Sequence, residues 1–161
     1  MARNLAVLPP SAIYANGVTS RRWQRDPAQQ QALSELDRVH RQVPARLRKP
    51  LLRQWLWRFL PPAPVRGVYL WGGVGRGKTF LVDLFYDGLP SQQKYRTHFH
   101  RFMRGVHERL REHAGQSDPL AKIVDQFRDR VRVLVLDEFF VTDIGDAMLL
   151  GRLLERMFDA G

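Results

Sequence analysis

Along the 161-residue chain, apolar positions recur at helical spacing in six stretches, separated by three short runs of strand-forming residues. Asp26 is suited to an N-cap and Pro27 to the first helical position, after which Ala32, Leu33, Leu36 and Val39 share a face. A second helix is expected from Pro50, with Leu51, Leu52, Trp55, Leu56 and Phe59 on one side. PPAPVRG (61–67) then breaks regular structure, because its three prolines remove backbone donors. VYLW (68–71) reads as a strand, and a glycine stretch follows at once. Helical spacing resumes with Phe80, Leu81, Leu84 and Phe85, and Gly88 and Pro90 supply a stop. KYRTHFH (94–100) reads as a second strand leading into a helix with Phe102, Met103, Val106 and Leu110. Asp118 and Pro119 open another helix, with Leu120, Ile123, Val124 and Phe127 on one face. VRVLVLDEFF (131–140) begins as an apolar run without alternation, the pattern of a strand covered on both faces. A last helix from about Asp143 carries Ile144, Ala147, Met148, Leu150, Leu154 and Met157. Strands separated by helices predict an α/β fold with a parallel sheet and right-handed crossovers.

Composition narrows the setting. The hydrophobic share of 44% is enough for one domain with its own core. With no cysteine, disulfides and thiolate metal sites are excluded. The longest uncharged stretch, Asn4 to Ser20, holds Pro9, Pro10, Asn16 and Gly17, so it does not read as a membrane span or a signal peptide. The expectation is a soluble, non-secreted protein without a transmembrane segment, although an acid-free, arginine-bearing start is also compatible with a mitochondrial transit peptide. Net charge is +10 and unevenly placed, since residues 1–66 hold 12 basic side chains against 3 acidic ones. Such a block attracts nucleic acid, lipid headgroups or acidic protein, or is simply a solvated face. Residues 1–62 are therefore read as a basic, mostly helical segment and 63–161 as a separate domain.

WGGVGRGKT (71–79) carries the chemistry. Gly72 to Thr79 fits GxxxxGK followed by Thr, the Walker A pattern of P-loop proteins, between an expected strand and an expected helix. Glycines let the backbone curl so that several N–H groups converge on an anion at a helix start, where the dipole favours negative charge. Gly72, Gly73, Val74, Gly75, Arg76, Gly77, Lys78 and Thr79 are the candidate nucleotide-binding residues. Lys78 is assigned to the β- and γ-phosphates as a point charge, and the Thr79 hydroxyl to Mg²⁺. A second motif, VLVLDE, ends 60 residues after Lys78. Asp137 suits a Mg²⁺ ligand of Walker B type, and Glu138 suits the group that orients and activates water. Lys78 and Glu138 are thus the candidate catalytic residues, with a nucleoside triphosphate and Mg²⁺ as cofactors. His98 and His100, two apart, would share one strand face; without a third partner they read as partly buried polar residues near the phosphate end of the sheet. Trp55, Trp57 and Trp71 read as core or interface.

PVRGVYLWGGVGRGKT, HFHRFM, DPL and LDEFFVTDIGDAMLLG together resemble the ZapE family of AAA+-type ATPases, bacterial cell-division proteins with mitochondrial relatives. The similarity covers most of residues 64–161. It implies a three-layer αβα P-loop domain, incomplete here, and a cytoplasmic ATPase recruited to the division site that acts on the tubulin-like protein FtsZ, with self-assembly as a further expectation. Adenine over guanine rests on this resemblance alone. Asp143 and Asp146 match family positions without a derivable role. Because the sequence stops at Gly161, before the family's sensor residue and arginine finger, the resemblance implies an N-terminal fragment that turns nucleotide over poorly and exposes an apolar sheet edge. The alternatives are a nucleic-acid-directed ATPase of helicase-loader type, using the basic segment, and a scaffold that binds nucleotide without hydrolysing it.

Overall fold

The computed structural model of the protein describes residues 8–47 and 65–160. The helix expected from Pro50, with Trp55 and Trp57, lies outside the described residues, as do Pro61 to Pro64. The chain divides into two compact units, Met1–Ser91 and Gln92–Gly161. This division falls after the glycine stretch and its helix, whereas the composition changes near residue 62.

Among the described residues of the first unit, three helices pack together: α1 (Pro10–Thr19), α2 (Pro27–Leu47) and α3 (Lys78–Gly88). Helix α1 was not legible in the pattern, since its Asn16 and Gly17 are poor helix formers. It forms because Pro10 occupies the first turn, where its missing N–H is no loss, and because tertiary contacts hold it. Ser11 donates to Asp37 of α2 from both its backbone N–H and its hydroxyl. Gly17 is needed for close approach, as a Cβ there would lie 1.8 Å from the Trp23 ring. Trp23 in turn donates to the Tyr14 carbonyl at 3.0 Å. The cap of α2 is as expected, with Ala28 N–H donating to Asp26 Oδ1 at 2.9 Å. Leu33, Leu36, Val39 and Val43 of α2 are buried, and so are Leu81 and Phe85 of α3.

VYLW forms no strand among the described residues, against expectation: residues 65–73 have no regular structure, and Tyr69 and Trp71 are 68% and 83% exposed. Strand propensity without a ladder partner does not make a strand. Trp71 is accordingly not a core residue.

In the second unit β1 (Lys94–His98) pairs in parallel with β2 (Val133–Asp137), from Lys94 opposite Val133 to His98 opposite Asp137. The crossover between them holds α4 (Phe99–Glu112) and α5 (Pro119–Arg130), and α6 (Ile144–Ala160) follows β2. This is mixed α/β architecture with a parallel sheet, as the alternation of elements predicts. Phe99, Phe102, Met103 and Val106 of α4, Leu120 and Val124 of α5, and Leu150 and Leu153 of α6 make the core, with Leu134 and Leu136 packed against it.

Three expectations are corrected here. The strand stops at His98 and α4 begins at Phe99, because Phe99 starts the helical spacing of the buried face. His98 and His100 therefore do not share a strand; both are exposed, with rings stacked at 5.8 Å. Leu134, Val135, Leu136 and Asp137 all keep partial exposure, so β2 is not covered on both faces. In α6 the buried positions are Leu150 and Leu153, while Ile144 and Met148 are 82% and 71% exposed.

Asp118 ties two helices together. Its side chain accepts from the Ala121 N–H at 3.1 Å, capping α5, and pairs with Arg156 of α6 at 2.9 Å. The Ala121 hydrogen bond first, and Arg156 after it, hold its carboxyl below the ordinary carboxylate value. The folded chain thus binds this proton at lower pH than the unfolded chain. Its stabilisation is present in full above the ordinary carboxylate range and is lost as pH falls through the folded value. Asp118→Ala is expected to lower the melting temperature at neutral pH, with the gap closing as the solution is acidified below that range. Equal melting temperatures at neutral pH would contradict this role.

Candidate functional site

The glycine stretch is a loop whose backbone only glycine adopts readily. Gly72, Gly75 and Gly77 have φ of 135°, 80° and 75°. At Gly72 and Gly75 an added Cβ would meet nothing within 4 Å, so conformation, not crowding, calls for glycine. Gly77 is the N-cap of α3, and the first helical bond runs from Leu81 N–H to the Gly77 carbonyl at 3.0 Å. The first N–H groups of α3, those of residues 78–80, have no backbone acceptor among the described residues, as expected of a helix start. Lys78 folds back over the loop, its ammonium donating to the Gly72 and Gly73 carbonyls at 2.9 and 2.8 Å. Val74 and Arg76 are exposed on the loop, and Thr79 is exposed in the first turn of α3. Unpartnered donors, open space and a cation fit a polyphosphate.

The acidic motif belongs to the second unit. Asp137 ends β2, and Arg96 of β1 grips it, Nε to Oδ2 at 2.6 Å and Nη2 to Oδ1 at 3.4 Å. Arg96 lies opposite Val135, and side chains two apart on a strand share a face, so the ladder sets Arg96 diagonal to Asp137. Sequence reasoning missed this partner; the strand period combined with the pairing register identifies it. Glu138 follows with φ of 53°, a left-handed conformation that a glutamate adopts at roughly 1–2 kcal/mol of strain. Its side chain is 74% exposed, with Oε2 3.8 Å from His98 Nδ1. Strain of this kind clusters at functional sites.

The two aspartates without a derivable role acquire one. Asp143 caps α6, accepting from the Asp146 N–H at 3.0 Å. Asp146 Oδ1 lies 2.6 Å from Nε2 of His107, joining the first turn of α6 to α4 beside a cleft of about 330 Å³. No group of three or more His, Asp or Glu side chains suited to a metal occurs among the described residues. Mg²⁺ is commonly held by one or two protein oxygens together with substrate phosphates, and the Thr79 hydroxyl at the start of α3 is an oxygen of that kind. No helix among the described residues is long and apolar enough to cross a membrane.

Comparison with known proteins agrees with the motifs. Residues 8–161 match the family model described as AFG1-like ATPase. The chain is 44% identical over 162 residues to the Escherichia coli K12 protein named Cell division protein ZapE, covering 94% of this chain and 43% of that protein. It is 32% identical over 185 residues to Schizosaccharomyces pombe C115.02c, covering 94% and 41% of the two chains. To Lactation elevated protein 1 homolog B of Danio rerio it is 37% identical over 111 residues, 62% of this chain and 22% of that one. The chain thus spans less than half the length of these relatives. No solved structure matches it significantly. With a family model matched over nearly its whole length, this chain belongs to the AFG1-like ATPase family.

Proposed function

We propose that the chain carries the ATP-binding and hydrolysing residues of a Mg²⁺-dependent P-loop ATPase of AAA+ type. The observation that supports this best is the Gly72–Thr79 loop: three glycines at positive φ, free N–H groups at the start of α3, and the Lys78 ammonium on the loop's own carbonyls. On this reading the amides of residues 75–79 bind the phosphate oxygens, and Lys78 neutralises the β- and γ-phosphates. Thr79 and Asp137 would each supply an oxygen to Mg²⁺. The metal would neutralise phosphate charge as the bond to the γ-phosphoryl group breaks. Glu138 orients the attacking water and accepts its proton. The αβα domain in which these motifs work is the P-loop fold that the family membership implies.

We extend to this chain the cell-division role that the name of its Escherichia coli relative prints. The activity is cytoplasmic, at the division site, and is spent on the tubulin-like protein FtsZ, with self-assembly completing the active form.

Phosphate release from Mg·ATP tests the reading. Turnover is expected to fall to the no-enzyme background in excess EDTA, to return on adding Mg²⁺, and to rise with FtsZ polymers present. Turnover indifferent to EDTA would remove the metal from the reaction. Turnover indifferent to FtsZ would remove that partner and leave the ATPase standing.

A further inference from the structure

We propose that helix α2 positions the glycine loop, with Gln29, Arg38 and His40 as the positioning residues. Each holds a backbone carbonyl in the stretch that contains the loop. Arg38 donates to the Arg66 and Gly67 carbonyls at 3.0 and 3.3 Å, fixing the chain that leads into the loop. Gln29 Nε2 donates to the Arg76 carbonyl at 3.2 Å, at the loop's last turn. His40 Nε2 lies 2.8 Å from the Gly88 carbonyl, in a buried contact at the far end of α3.

The spacing makes these contacts a ruler. Gln29 and His40 are 11 residues apart on α2, and the carbonyls they hold, those of Arg76 and Gly88, are 12 apart and flank or end α3. At 1.5 Å per residue the α2 interval and the 11-residue helix α3 are each about 16 Å long, so the two helices run side by side in the same direction. Leu33 and Leu36 of α2 and Leu81 and Phe85 of α3 are buried between these tethers. Gly77 belongs to the same arrangement, since a Cβ there would lie 2.6 Å from Gln29 Nε2.

Orientation follows from the peptide unit. All described peptides are trans, so the Arg76 carbonyl and the Gly77 N–H point in opposite directions. Tying the carbonyl to α2 aims that N–H away from α2, at the helix start where an anion is favoured. Helix α2 is on this account a working part of the phosphate site, and the inference rests on the nucleotide-binding reading above.

Calorimetric titration of Mg·ATP into the chain and its variants tests it, with amide hydrogen exchange of the 66–77 peptide as a second readout. Gln29→Glu keeps the size but puts an acceptor against the Arg76 carbonyl. Arg38→Lys keeps the charge but not the two-carbonyl grip. Either variant is expected to bind ATP about three- to tenfold more weakly, the loss of one or two net hydrogen bonds. The loop peptide should exchange faster while the melting temperature stays unchanged. Wild-type affinity and exchange in both variants, alongside a Lys78→Ala variant that binds ATP more weakly, would overturn the positioning role and leave the nucleotide reading intact. No ATP binding by the unsubstituted chain would overturn both. Should either change lower the melting temperature, Gln29→Ala, which removes only a half-exposed side chain, gives the same comparison.

Discussion

Lys78→Ala is expected to weaken ATP binding about 10- to 100-fold, the loss of charge-assisted hydrogen bonds from an ammonium to phosphate oxygens. The structure complicates the simplest version of this experiment. Two of the three ammonium protons go to the Gly72 and Gly73 carbonyls, so alanine removes a fastener of the loop as well as a charge. Lys78→Gln separates the two effects, because a neutral amide can still donate to a carbonyl but carries no charge for the phosphates. If the charge matters, both variants bind ATP weakly; if only the fastening matters, glutamine restores most of the affinity. Dissociation constants from calorimetry decide, and unaltered binding by Lys78→Ala would end the proposed function.

Local chemistry was legible in the sequence, and partnership was not. Asp26 with Pro27, Asp118 with Pro119, and Gly88 with Pro90 announced helix ends because capping depends on a few neighbouring residues. The loop was legible for the same reason, since GGVGRGKT holds within eight residues the glycines at positive φ and the lysine that closes over them. VYLW shows the opposite case. Its residues have strand propensity, yet a strand exists only when another strand lies beside it, and nothing within four residues states that. Helix α1 was missed through the same gap: Asp37, 26 residues away, supplies acceptors for Ser11, and Trp23 covers Gly17. In α6 the apolar residues outnumber the buried positions, so periodicity could not tell Leu153, 1% exposed, from Ile144. At the site, Asp137 and Glu138 were identifiable as acids ending a strand. Arg96 as the partner of Asp137 required the register of the ladder.

Glu138→Gln is expected to lower phosphate release about 10²- to 10⁴-fold, the span of general acid–base catalysis, while leaving the ATP dissociation constant within about twofold of the parent value. Glutamine is the informative substitution because the position is strained. Glu138 sits at φ of 53°, where a change to alanine or glycine would alter backbone preference together with chemistry. Glutamine keeps the length and the Cβ, and with the side chain 74% exposed no buried charge is stranded by the exchange. Binding should survive, since the amides and Lys78 that hold the phosphates are untouched. Asp137→Asn should differ: it takes the charge from a carboxylate paired to Arg96, so metal dependence and stability change with it. Single-turnover phosphate release with bound ATP measured in parallel separates the two acids. Equal release by Glu138→Gln and the parent would assign the water to another group, whereas loss of binding together with turnover would make Glu138 a ligand-holding residue and not a base.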